Sequence, residues 1–254
     1  MKRISDVFQK HKNILSGNLG EISFLFFISL IAHGLFLPWL GLYGDDWSLL
    51  WLSYRTGSTA MFFLENRYLF PYIYSLFSFF LGPNKSEWHI LFFLIRFFSV
   101  VNLWIILKML WPNKKQIRVW ISLLFALYPG CLIIYQPITF WTVYLQFSIL
   151  FISFWTMLEA VKNENNKRWV FIFVSVSFAY INLVLSEYLY FLELLRIPIL
   201  LTYCANKKLN LKNVFIKIFW TSLPFLIVFA AVSIRRAIYH SAATSSLPQR
   251  MIRA

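Results

Sequence analysis

Charge is scarce in this chain. Only 13% of its 254 residues are Asp, Glu, Lys or Arg, about half the share of an ordinary soluble domain, and no more than 10 are acids. A water-exposed globule of this size needs a charged surface, so that class is excluded. Cysteine is nearly missing as well. Cys131 and Cys204 both lie in or beside apolar runs, which gives no disulfide framework or metal cluster and makes them small packing hydrophobes. There is no P-loop, no dinucleotide fingerprint, no HExxH and no CxxC, so the usual soluble nucleotide and zinc chemistries have no support. No small-residue cleavage site follows the first apolar run, which ends in LPWLGLYGDDW; it is expected to stay as a signal anchor.

Apolar and aromatic residues take the place of charge, at 59% and 20% of the chain. About 20 apolar residues span a bilayer core of about 30 Å, and seven runs are candidates: 21–43, 88–111, 118–135, 137–159, 169–186, 188–204 and 214–234. The expectation is one all-α, polytopic membrane domain over 1–254, with about seven transmembrane helices. The net charge of +14 could suggest nucleic acid. Blocks of Lys and Arg between apolar runs are better explained as cytoplasmic loops, and nothing resembles a nucleic-acid module.

With the amino terminus in the cytoplasm and each run crossing once, the basic loops around 108–118, 162–168 and 207–217 fall on the inner side, and with the amino terminus hold 15 of the 24 basic residues. Six of the 10 acids, among them Asp45, Asp46 and Glu187, then look outward. This requires residues 41–87 to form an outer loop. The apolar stretch RYLFPYIYSLFSFFLG, residues 67–82, is short for a crossing and contains Arg67 and Pro71; it is expected as a helix at the outer interface. Before it, Trp47, Leu50, Trp51 and Tyr54 recur at one helical face. That face suits either the headgroup layer, where Trp and Tyr prefer to sit, or packing against a core.

An amino-terminal span, an acidic DDW opening the first outer loop and two interfacial helices, followed by ALYPG at 126–130 and LSEYLYFLELLR at 185–196, make a pattern over residues 20–204 that resembles the membrane glycosyltransferases of the C superfamily. The likeness is to bacterial members related to protein O-mannosyltransferases and lipid A aminoarabinose transferases. The resemblance implies a protein of the bacterial cytoplasmic (inner) membrane that takes sugar from a polyprenyl-phosphate carrier at the outer face and gives it to a glycan, lipid or protein acceptor. Many relatives place a second acid where this chain has Gln136, and relatives run to more spans, so the chain is expected to correspond to their amino-terminal part.

Such a transfer needs a base for the acceptor hydroxyl and charge stabilisation for the leaving phosphate. By family position the base is Asp45 or Asp46, the second acid tuning the first; the other reading of the pair is an N-cap of the Trp47 helix. Arg67, His89, Arg96, Glu187 and Arg196 are the substrate-binding candidates. Arg96 and Arg196 lie at comparable depth inside spans, where ionisable residues are costly and candidates for function, and guanidinium suits bidentate phosphate contact. Either could instead pair with Glu193, Glu187 or carbonyls as a structural bridge. His89 at the outer interface suits contact with a phosphate or headgroup, and Glu187 suits orienting an acceptor; the other reading is an ordinary interfacial His and a solvated Glu. His33 is expected to pack with a backbone partner. No cofactor is assigned; a divalent metal is compatible with the acids, but no ligand spacing supports it. The rival class is a non-catalytic membrane protein that carries or flips a lipid-linked sugar, or assists surface polysaccharide assembly.

Overall fold

The computed structural model describes residues 18–56, 69–128, 136–163, 167–185, 188–207 and 211–251. Among these there is no strand. Nine α-helices follow one another: α1 (Leu19–Ser29), α2 (Asp45–Thr56), α3 (Phe70–Leu81), α4 (Lys85–Leu110), α5 (Lys115–Leu127), α6 (Pro137–Lys162), α7 (Lys167–Leu185), α8 (Arg196–Asn206) and α9 (Leu211–Met251). A π-turn (Leu30–Gly34) and a 3-10 turn (Leu37–Trp39) extend α1, and a 3-10 segment (Tyr190–Leu195) leads into α8.

Among the described residues, five stretches are long and apolar enough to cross a bilayer: Leu19–Trp39, Lys85–Leu110, Pro137–Lys162, Lys167–Leu185 and Ile218–Ile238. Two of the seven expected spans are shorter helices, and proline explains both. α5 stops after 13 residues, about 20 Å, because Tyr128 precedes Pro129, which disfavours helical backbone at the residue before it; Tyr128 turns extended at ψ 116°. Residues 129–135 lie outside the described residues. α8 has 11 residues and starts at Arg196 because Pro198 lacks the N–H that a helix continuing from Tyr190 would use, while a first turn accepts it.

α4, α6 and α7 form the centre. The main core joins Trp104, Leu150, Phe154, Met157, Leu158 and Leu200. The bundle has two chemically distinct ends. At the basic end, Asn206 Nδ2 donates to the Leu110 carbonyl at 2.8 Å, and Arg118 meets Glu21 at 3.0 Å. Trp104 Nε1 bonds the other Glu21 oxygen at 2.8 Å. At the acidic end a second cluster gathers Leu49, Phe70, Tyr74, Trp88, Ile138 and Trp141.

α1 with the turns that extend it, and α9, leave apolar side chains such as Phe27, Ile31, Leu35, Ile227 and Ile234 exposed. Together they form an apolar surface far larger than a water-soluble protein carries. Exposed aromatics ring both ends: Trp120, Trp169 and Trp220 at the basic end, and Trp39, Trp47, Trp51 and Tyr72 at the acidic end. Two aromatic belts flanking an apolar band mark a bilayer-embedded protein.

The expected loop helices are present. In α2 the aromatics of the stripe are turned outward, with Trp47 60%, Trp51 58% and Tyr54 81% exposed, while its Leu50 is half-buried against the second cluster and Leu49 is fully buried; the aromatic part of the stripe does not pack a core. α3 has 12 residues, about 18 Å, too short to cross. Its Tyr74 hydroxyl bonds the Ile138 carbonyl and the Thr139 carbonyl at 3.0 Å, and Tyr72, Leu76, Phe79 and Phe80 stay exposed.

Candidate functional site

The two adjacent acids have opposite environments. A helix turns each successive residue by about 100°, so in the first turn of α2 Asp45 is exposed while Asp46 faces inward with 0% of its surface accessible. One expectation is corrected here: the pair does not lie together in a solvated loop. Asp46 reaches the start of α6, where its Oδ1 accepts from the Thr139 amide and the Thr139 hydroxyl, each at 2.8 Å. The first amides of a helix have no partner within it, so Asp46 caps α6 from 93 residues away in sequence. The second oxygen, Oδ2, is buried without a hydrogen-bond partner. Burial pushes the Asp46 carboxyl up from its ordinary 3.8 to about 6, against the Thr139 hydrogen bonds that favour the charged form, with Asp45 adding a smaller push.

The pivot for this arrangement is Gly44, at φ 53°, a left-handed conformation that glycine adopts without strain. A β-carbon there would also collide with the Gln136 amide. The start of the first loop and the residue before α6 are thus in contact, and Gln136 stands beside the acids. His89, buried near the start of α4, donates through Nε2 to the Gly41 carbonyl at 2.9 Å, and its Nδ1 has no hydrogen-bond partner. It holds the chain leading into α2 and has no exposed surface to offer a headgroup. Arg67 and Glu187 lie outside the described residues.

Asp46 gives a direct prediction. Its carboxyl takes up a proton more readily when folded than when unfolded, so its contribution to stability is full below about 3.8 and is lost as pH rises through about 6. That difference corresponds to about 3 kcal/mol. Asp46→Asn keeps an oxygen for Thr139 and removes the titration, so the melting temperature between pH 4 and 7 should vary less in the variant than in the wild type. Asp46→Ala strands the Thr139 donors and should destabilise by about 1–3 kcal/mol at any pH. Parallel curves for wild type and Asp46→Asn would dismiss the titration.

The two membrane arginines are not one site. Arg96 donates from Nη2 to the Ala126 carbonyl at 2.8 Å and stands over the Tyr144 ring at 5.1 Å. His33 donates to the same carbonyl at 3.1 Å. Both cover the carbonyl end of the short α5, where an unpaired carbonyl in hydrocarbon costs several kcal/mol. Arg196 sits elsewhere. Its Nε donates to Glu193 Oε2 at 2.7 Å, its Nη2 lies 2.6 Å from the same oxygen and 2.8 Å from Ser153 Oγ, and Phe154 and Phe225 face the guanidinium. Asn182 Nδ2 donates to the other Glu193 oxygen at 3.1 Å. From Tyr144 to Ser153 is nine residues of α6, about 14 Å along the axis. The expectation that Arg96 and Arg196 share a depth is therefore corrected, and Arg196 is engaged in the bridge with Glu193.

Among the described residues no group of three or more His, Cys, Asp or Glu side chains could hold a metal ion. Sequence reasoning missed Thr139, the partner that orders the acids. Its signal was weak: a hydroxyl residue two places after the helix-starting Pro137. It also missed Glu21 with Arg118, 97 residues apart.

The fold and its aromatic belts define an all-helical integral membrane protein, with a loop helix that Asp46 anchors on the start of an opposing helix. Comparison with known proteins finds no matching family model, no similar curated protein and no similar solved structure.

Proposed function

We propose that this protein is glycosyltransferase-like and transfers a sugar from a polyprenyl-phosphate carrier to an acceptor at the acidic end of the bundle. The positive-inside rule argues for that end as the outer face and for a cytoplasmic amino terminus, and the resemblance implies a bacterial cytoplasmic membrane. The observation that carries the reading is the split of the acid pair. Asp46 is a buried anchor that fixes α2 on α6, and Asp45 is presented beside an exposed aromatic face at headgroup depth. In the reaction Asp45 takes the proton of an acceptor hydroxyl, the acceptor oxygen bonds to the anomeric carbon, and the sugar–phosphate C–O bond breaks with its electron pair leaving on the prenyl phosphate. Configuration at the anomeric carbon inverts in this single displacement.

The test is release of prenyl phosphate from a panel of short-chain prenyl-phosphate sugars by the protein in liposomes, with an envelope lipid and glycan extract as acceptor. Release together with labelled, inverted product supports the reading; intact donor throughout overturns it.

One observation favours the non-catalytic rival. α5 ends and α8 begins within the depth of the bundle, each beside a buried arginine, and interrupted helices are how carriers build sites near the midplane. In that reading the donor crosses between leaflets unchanged, which the same liposomes report as movement of label without cleavage.

A further inference from the structure

Two cations of α9, Arg235 and Arg236, stand far from the basic end. α9 enters at the basic end and its apolar stretch runs Ile218–Ile238, so Arg235 and Arg236, 17 and 18 residues beyond Ile218, stand about 26 Å further on. That is close to the full thickness of a bilayer core and puts both guanidiniums at the acidic-end headgroup level. Basic residues on the side that positive-inside sorting leaves poor in them call for a reason other than topology.

Their surroundings are built. Arg236 is half-buried and donates from Nη2 to the Leu183 carbonyl in the last turn of α7 at 3.0 Å. Its guanidinium lies over the Tyr190 ring at 4.7 Å, while Arg235 is exposed beside it. The packing beneath, Leu183, Val184 and Val232, includes Leu69 at the start of α3. Five residues on, α3 carries Tyr74, whose hydroxyl bonds the Thr139 carbonyl, and Thr139 holds Asp46. The part of α9 one turn before Arg236 and the part of α6 that holds Asp46 therefore both meet this short helix, at points about 8 Å apart along it.

We propose that Arg235 and Arg236 form the binding site for the phosphate of a membrane-embedded prenyl phosphate. This inference rests on the glycosyl-transfer reading and names the residues that hold the donor. Guanidinium groups offer planar, paired donors to phosphate oxygens. At this depth a phosphate meets the pair while its prenyl chain lies along the exposed apolar faces of α3 and α9. The departing phosphate would gain its counter-charge there. Arg96 and Arg196 are left to their structural bonds.

The experiment is binding of farnesyl phosphate to the full chain in nanodiscs, with farnesol and inorganic phosphate as controls. Wild type should bind farnesyl phosphate at least tenfold more tightly than farnesol. Arg235→Gln, which leaves the Leu183 contact intact, should weaken farnesyl phosphate at least threefold, and R235Q/R236Q should reduce it to the level of farnesol. Arg236→Lys retains charge without the paired donors and should fall between. Farnesol binding should not move in any variant, which reports an intact fold. Unchanged farnesyl phosphate affinity in Arg235→Gln and Arg236→Lys overturns the site while leaving the transfer reading standing. A wild type that does not prefer farnesyl phosphate to farnesol overturns both. Displacement by inorganic phosphate at concentrations comparable to farnesyl phosphate would make the site one for free anions and overturn the lipid assignment.

Discussion

Asp45→Asn is expected to lower sugar transfer by about 10²–10⁴, the range a positioned general base contributes, while leaving the melting temperature within 1 °C or so of wild type, since exposed substitutions away from packed features shift stability little. The reason is the division of labour in α2. Asp45 is exposed, so an amide there removes a proton acceptor and little else. Asp46 is buried against Thr139 and no acceptor hydroxyl reaches it without unseating α2. The same substitution at Asp46 should act mainly on the pH dependence of stability. Initial rates of product formation with a prenyl-phosphate sugar, measured beside a melting curve, separate the two. Wild-type rates in Asp45→Asn would remove Asp45 as the base, and equal rate losses in both variants, with both folded, would show that the pair acts as one unit.

The largest loss of stability is expected at Glu193. Glu193→Ala leaves the Arg196 guanidinium buried with Ser153 and two aromatic faces but no counter-charge, and losing one partner of a buried pair costs about 3–5 kcal/mol. It also frees Asn182 Nδ2, which bonds the same carboxylate. Replacing both partners, Glu193→Leu with Arg196→Met, should recover most of that loss because neither charge is then buried alone. Chemical denaturation in a mixed micelle measures both. A single variant as stable as wild type would mean that the guanidinium escapes to a polar region the packing does not provide. Farnesyl phosphate binding in the double variant should match wild type, since this bridge is structural.

Much of the fold was legible from composition and periodicity. A bilayer demands that backbone groups pair within a segment, so apolar runs of sufficient length become helices whatever their neighbours, and α4, α6 and α7 follow. The outward stripe of α2 was visible because Trp47, Trp51 and Tyr54 share one face. The shortness of α5 and α8 was also written in the chain, at Pro129 and Pro198, but length counting over apolar runs passes over single prolines. Glu193 and Arg196 are three residues apart, so their bridge is a local pattern that spacing allowed without choosing.

The site was less legible. Composition and pattern establish that the chain is helical and membrane-embedded, that its charges sort to two ends, and that two acids are neighbours at one of them. They do not distinguish Asp45 from Asp46, since which residue faces inward depends on the helix against which α2 docks. Packing of the helices makes Asp46 the anchor and sets Arg96 and Arg196 at different depths. It alone joins Glu21 to Arg118 across 97 residues and gathers Val232, one turn before Arg236, with Leu69 at the start of α3 in one apolar cluster. The physical reason is range: hydrophobic length and helical period act over a few turns and can be read along the chain. Capping bonds and buried ion pairs join groups that only packing brings within 3 Å or so, so their partners appear once the helices are assembled.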